Sequence, residues 1–134
     1  MKFLTKKKTI RYAETDQMGV VHHSNYVLYF EEARIDWLDN LNTPYVEMEE
    51  KGIISPVIEL RLKYHNPLYF GDSYYIEIQV VKPPKASLEL TYKVFNQNDQ
   101  LACSGYSKLA FLLAETKKLI PVPSYLASKL EIEK

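Results

Sequence analysis

Hydrophobic positions change their period once along this chain, and the change divides it. From Asn25 to Leu41 the apolar residues recur at helical spacing. Taking about 100° per residue, Tyr26, Tyr29, Phe30, Ala33, Trp37 and Leu41 share one face. A second apolar group, Val27, Leu28, Ile35 and Leu38, lies away from the first, with polar residues between. A helix with two apolar sides needs partners on more than one side. Asn42-Thr43-Pro44 ends it, and Thr43 is placed to cap a short helix running to Lys51.

After Gly52 the period becomes two. Ile58, Leu60, Leu62 and Tyr64 alternate with Glu59, Arg61 and Lys63. The same alternation runs through Tyr74, Ile76, Ile78 and Val80, and through Leu88, Leu90, Tyr92 and Val94. A last strand is predicted over Leu101–Leu113, a first one over Thr5–Tyr12, and a short C-terminal helix over Pro123–Leu130. The breaks at Asn66-Pro67 to Gly71-Asp72, Lys82-Pro83-Pro84-Lys85 and Asn96-Gln97-Asn98-Asp99 are too short for crossover helices. Consecutive strands are therefore expected to pair as hairpins. The predicted class is α+β: one curved antiparallel sheet of about five strands wrapped around one long helix. The second apolar side of the helix is left for another copy of the chain.

Composition narrows the picture little. With 134 residues, 46% hydrophobic and 25% charged, the chain suits a single domain over residues 1–134. Seventeen basic and seventeen acidic residues cancel, which argues against nucleic acid as a partner. Cys103 is the lone cysteine and follows the apolar Leu101 and Ala102, so it reads as a core residue in a reducing compartment. No apolar run is long enough to span a bilayer, and the start lacks a signal-peptide core, so the cytoplasm is the expected location.

The candidate chemistry lies between Arg11 and Leu38. Asp16 sits in a loop upstream of the helix, Gly19 lets the chain turn, and His22 and His23 stand at the helix entrance. A helix N-terminus offers unpartnered N–H groups and a partial positive charge. It can hold a carbonyl oxygen that is becoming an oxyanion, while a nearby carboxylate attacks that carbonyl or directs a water at it. This layout suggests acyl-group chemistry. Taken alone, Asp16 would read as a turn residue, and Tyr12 as a strand aromatic. His22, His23, His65 and Cys103 show no zinc spacing, and no serine elbow, phosphate loop or dinucleotide motif is present, so neither metal nor cofactor is expected. Lys6-Lys7-Lys8 reads as a solvated edge that can also meet nucleotide phosphates.

Tyr12, Thr15-Asp16, Gly19-Val20-Val21, His23, Tyr26, Tyr29-Phe30-Glu31 and Ala33-Arg34, with the turn Asn66–Asp72, carry a resemblance. They resemble the hotdog superfamily, and within it the 4-hydroxybenzoyl-CoA thioesterase family and its Tol-Pal-associated short-chain branch. The resemblance implies hydrolysis of acyl-CoA thioesters, with Asp16 as the catalytic carboxylate. It places the His23 backbone N–H against the thioester carbonyl, with the His23 side chain contributing. Tyr12, Gly19 and Tyr26 are the implied substrate-binding residues. It also implies a homo-oligomer, dimer or tetramer, with sites at subunit interfaces. Glu14, Gln17-Met18 and His22 depart from the pattern, and the changes at 17, 18 and 22 leave the acyl group open. Glu31 and Glu32 are the fallback carboxylates. A binding protein that holds an acyl thioester without cleaving it is the alternative. A hotdog dehydratase would need a different His/Asp or His/Glu site.

Overall fold

The computed structural model describes residues 2–130. The long helix α1 spans Asn25–Asn40 and buries Tyr26, Tyr29, Phe30, Ala33, Trp37 and Leu38. The predicted face is therefore the buried one, with Leu38 joining it and Leu41 only half-buried beyond the helix end. Leu28 and Ile35, from the second apolar group, are exposed. Helix α2 spans Tyr45–Glu50, with Pro44 at its N-cap. Thr43 does not cap it: its hydroxyl donates instead to the Leu38 carbonyl at 3.3 Å, closing the end of α1.

The strands are β1 (Lys2–Leu4), β2 (Lys8–Thr9), β3 (Ile53–Ile54), β4 (Val57–Tyr64), β5 (Ser73–Val80), β6 (Leu88–Asn96), β7 (Leu101–Leu109), β8 (Phe111–Leu113) and β9 (Leu119–Ile120). The main sheet runs β1-β5-β6-β7-β4, with β2 also on β5, and every pairing is antiparallel. This is the hotdog arrangement, a curved sheet around one helix. A smaller sheet runs β3-β8-β9. Helix α3 (Ser124–Ala127) and a following 3-10 turn close the described residues, and both bury a leucine, Leu126 and Leu130. Among the described residues no helix is long and apolar enough to cross a membrane.

Three sequence expectations are corrected. The strand expected over Thr5–Tyr12 shrinks to Lys8–Thr9, and a separate strand forms before it at Lys2–Leu4; at Thr5 the backbone N–H still reaches the Ile76 carbonyl (2.9 Å), but the Ile76 N–H goes to the Thr5 hydroxyl (2.9 Å) and the ladder lapses until Lys8. Past β2 the Glu14 carboxylate accepts the Arg11 N–H (2.8 Å), and Tyr12 lies in the 3-10 turn Tyr12–Glu14 and not in a strand. The last strand is also broken. The Ala110 N–H bonds the Pro56 carbonyl (3.0 Å), and β8 leaves for the second sheet.

The third correction matters most for the site. β5, β6 and β7 pair as consecutive hairpins, but β4 pairs with β7 at the far edge and not with β5. The connection 65–72 therefore crosses from one side of the sheet to the other. It passes the entrance of α1, where Leu68 is fully buried and its carbonyl accepts the Val21 N–H at 2.8 Å. As an edge strand, β4 keeps Ile58, Leu60 and Tyr64 exposed, so its alternation does not produce a buried face within one chain.

The helix sits on the sheet through rings. Phe30 stacks on Tyr92 with centroids 4.3 Å apart, and Tyr29 stacks on Tyr74 at 4.6 Å. Gly105 of β7 makes this approach possible, since a Cβ there would lie 2.3 Å from the Phe30 ring. Gly105→Ala should therefore destabilise the fold by about 1–3 kcal/mol through overpacking. Denaturant unfolding monitored by circular dichroism measures it. Stability equal to wild type would show that the Phe30 ring has room to yield.

Candidate active site

The loop before α1 is built from local backbone bonds. The Asp16 N–H donates to the Val20 carbonyl (2.8 Å), and the Gly19 N–H returns to the Asp16 carbonyl (3.0 Å). Gly19 has φ +78°, a left-handed conformation that side chains resist, and no neighbouring atom would crowd a Cβ. Its requirement is thus conformational. One Asp16 carboxylate oxygen, Oδ1, accepts the Met18 N–H at 2.8 Å, which fixes the side chain over its own turn. The loop is tied to the helix start through the Glu14 carbonyl, which accepts the His22 N–H (2.9 Å) and the Asn25 side-chain amide (2.8 Å).

His23 lies just before the N-cap residue, Ser24. Among the described residues its backbone N–H has no hydrogen-bond acceptor. Its carbonyl accepts the Tyr64 hydroxyl at 3.3 Å. The His22 and His23 rings lie 4.1 Å apart, and His22 Nδ1 is within hydrogen-bond distance of the Ser24 hydroxyl (2.8 Å).

Asp16, His23 and Tyr26 line one cavity of about 350 Å³ at this helix entrance. The structure brings these expected residues together. It leaves out two others: Gly19 shapes the turn without lining the cavity, and Tyr12 stands away from it. Tyr12 is 76% exposed and packs edge-on against Phe70, centroids 5.6 Å apart. Glu31 lines a different cavity beside Arg34, and Glu32 pairs with Lys8 at 3.4 Å, so neither faces Asp16.

The opposite wall is Tyr64, His65, Asn66 and Pro67, which sequence reasoning did not place here. They arrive because β4 pairs with β7. The His65 N–H bonds the Ala102 carbonyl (2.8 Å), and the Asn66 side chain bonds the Leu101 carbonyl (2.7 Å). The Asn66-Pro67 turn was their only signal in the sequence. Tyr26 and Tyr64 rings meet edge to face at 5.5 Å, and burial pushes both phenols up, so they stay neutral hydrogen-bond donors. Cys103 is fully buried, and burial pushes its thiol up to about 12, which leaves it protonated and unreactive.

A carboxylate, an unpartnered N–H at a helix entrance and neutral phenols around one cavity form a site for a polarised carbonyl. Comparison with known proteins gives the family. Residues 10–130 match the family model described as the thioesterase-like superfamily. The chain belongs to that superfamily. Among its thioesterase-like relatives, YneP of Bacillus subtilis, provisionally named an acyl-CoA thioesterase, is 32% identical over 102 residues, covering 76% of this chain and 74% of that protein. A 1,4-dihydroxy-2-naphthoyl-CoA hydrolase of Thermosynechococcus vestitus is 25% identical, covering 93% and 86%. The crystal structure of a DHNA-CoA thioesterase from Staphylococcus aureus superimposes with a TM-score of 0.87 at 34% identity, covering 95% of this chain and 85% of that one.

Proposed function

We propose that this protein hydrolyses acyl-CoA thioesters to coenzyme A and a carboxylic acid. The observation that carries the reading is the shared cavity of Asp16 and His23 at the entrance of α1. The thioester carbonyl docks on the unpartnered His23 N–H, whose hydrogen bond strengthens as negative charge builds on the oxygen. Asp16 then attacks the carbonyl carbon to give an anhydride that water opens, or it takes a proton from a water that attacks directly. Either route expels the thiolate and needs no metal or redox cofactor. The names of the thioesterase relatives support the reaction class.

The motif residues support placement beside the Tol-Pal-associated branch, whereas two of the relatives above carry a bicyclic aromatic acyl group in their names. A substrate panel therefore runs from short aliphatic to bicyclic aromatic thioesters, read by thiol release. Binding of these thioesters with no thiol released would identify a carrier instead. The cytosol is the compartment that fits the reduced, buried Cys103.

The same reading includes an oligomer. Leu28 and Ile35 on α1 and Ile58, Leu60 and Tyr64 on β4 form exposed apolar surface, and β4 has a free edge. A second copy covers both most simply, giving a dimer or a dimer of dimers.

Three outcomes are expected. Asp16→Asn keeps the fold by circular dichroism and loses at least about a hundredfold in turnover on the best panel substrate. Near-wild-type turnover would remove Asp16 from the chemistry. His23→Ala is milder, because the backbone N–H survives the substitution. A loss equal to that of Asp16→Asn would make the imidazole itself a participant. Light scattering at micromolar concentration should give the mass of a dimer or tetramer, and a stable, fully active monomer would overturn the assembly.

A further inference from the structure

The proposed reaction needs Asp16 and the His23 N–H to face one carbonyl together, and they lie on different segments. Residues 14–22 form a tight hairpin: Thr15 bridges Val21, and the His22 N–H donates to the Glu14 carbonyl (2.9 Å) across its base. Asp16 sits inside this hairpin, whereas His23 lies just beyond it, where the chain enters α1. On one side the hairpin is held by the connection 65–72, through the Val21 N–H on the Leu68 carbonyl (2.8 Å) and a bridge from Val20 to Tyr69. On the other side it meets Asn25, the first residue of α1.

Asn25 makes two hydrogen bonds to the hairpin, one for each half of the site. Its side-chain amide donates to the Glu14 carbonyl at 2.8 Å. Only the amide nitrogen can face that oxygen, because a carbonyl does not donate. The anchor itself is fixed. The Glu14 N–H donates to the Arg11 carbonyl (3.0 Å), and the Glu14 carboxylate accepts the Arg11 N–H (2.8 Å). Asp16 follows two residues on. The second bond comes from the backbone: the Asn25 N–H donates to the His22 carbonyl at 2.9 Å. That carbonyl and the His23 N–H belong to one trans peptide, so they point in opposite directions. Drawing the carbonyl onto Asn25 therefore turns the His23 N–H off the helix start, where among the described residues it has no acceptor.

We propose that Asn25 is the positioning residue of this site. Its side chain sets the Asp16 turn against the helix entrance, and its backbone sets the direction of the His23 N–H. It touches neither the thioester carbonyl nor the leaving thiolate. This rests on the reading of Asp16 and His23 as an acyl-CoA site. Misplacing a reacting group costs rate more than affinity, so loss of the amide lowers kcat and leaves KM in place.

Two variants test it. Asn25→Ala removes the amide, and Asn25→Asp keeps its shape but sets an acceptor against the Glu14 carbonyl. Both keep the backbone N–H, and aspartate suits the first turn of a helix, so α1 should survive by circular dichroism. Each should lower kcat at least about tenfold and shift KM by less than about twofold. In an Asp16→Asn background, Asn25→Ala should add less than about twofold, because a residue that acts through Asp16 has nothing left to position. Amide hydrogen exchange reads the tether without turnover. The Asp16 and His22 N–H groups should exchange at least about fivefold faster in Asn25→Ala, with the interior of α1 unchanged. Wild-type rates and exchange in both variants overturn the proposal. So does a raised KM with kcat intact, or a loss equally large in the Asp16→Asn background. If the wild type releases no thiol, the hydrolase reading falls and exchange alone decides: a loosened hairpin keeps Asn25 as its tether, and an unchanged one removes it.

Discussion

Everything in this fold hangs on how closely the long helix can approach the sheet. Phe30 lies between the bare backbone of Gly105 and the ring of Tyr92. Because residue 105 has no side chain, the aromatic face of α1 sinks into the concave side of the sheet. Tyr29 on Tyr74 and Tyr26 against Tyr64 continue the contact toward the helix start. These pairs fix rotation as well as depth, since stacked and edge-to-face rings tolerate little sliding. The position of the helix entrance, and so of the His23 N–H, follows from contacts made deep in the core.

The site is assembled from two segments that do not neighbour each other in sequence. One is the turn carrying Asp16, held by the Glu14 carbonyl and closed by Gly19. The other is the end of β4, carried across by its pairing with β7. The link between them is the connection 65–72, whose Leu68 carbonyl grips the loop at Val21. A sheet of consecutive hairpins would have no reason to send this segment past the helix entrance. One wall of the cavity, Tyr64 to Pro67, is therefore a product of the topology.

That division explains what the sequence could reveal. Helix α1, its buried face and the alternation of β5 and β6 follow from local periodicity, and local periodicity is visible in one chain. Asp16 and His23 were legible because the turn and the helix start lie within one short stretch. The β4–β7 pairing was not, because short loops favour hairpins unless the sheet curls enough to bring distant edges together. Tyr64 and His65 were missed for the same reason. The gap between β1 and β2 opens at Thr5, whose hydroxyl takes the Ile76 N–H, a substitution that no alternation pattern encodes. Tyr12 lies past β2 in a 3-10 turn of its own, outside the sheet and away from the cavity.

The buried cysteine has a consequence for an enzyme whose product is a thiol. Disulfide exchange proceeds through thiolate, and a thiol that burial raises to about 12 stays protonated at neutral pH. Cys103 is also enclosed by the sheet and the helix, beyond the reach of a bulky disulfide. Under the proposed reaction, coenzyme A or its oxidised dimer would find no accessible thiol on this chain with which to form a mixed disulfide. Activity would then be insensitive to the redox state of its own product pool.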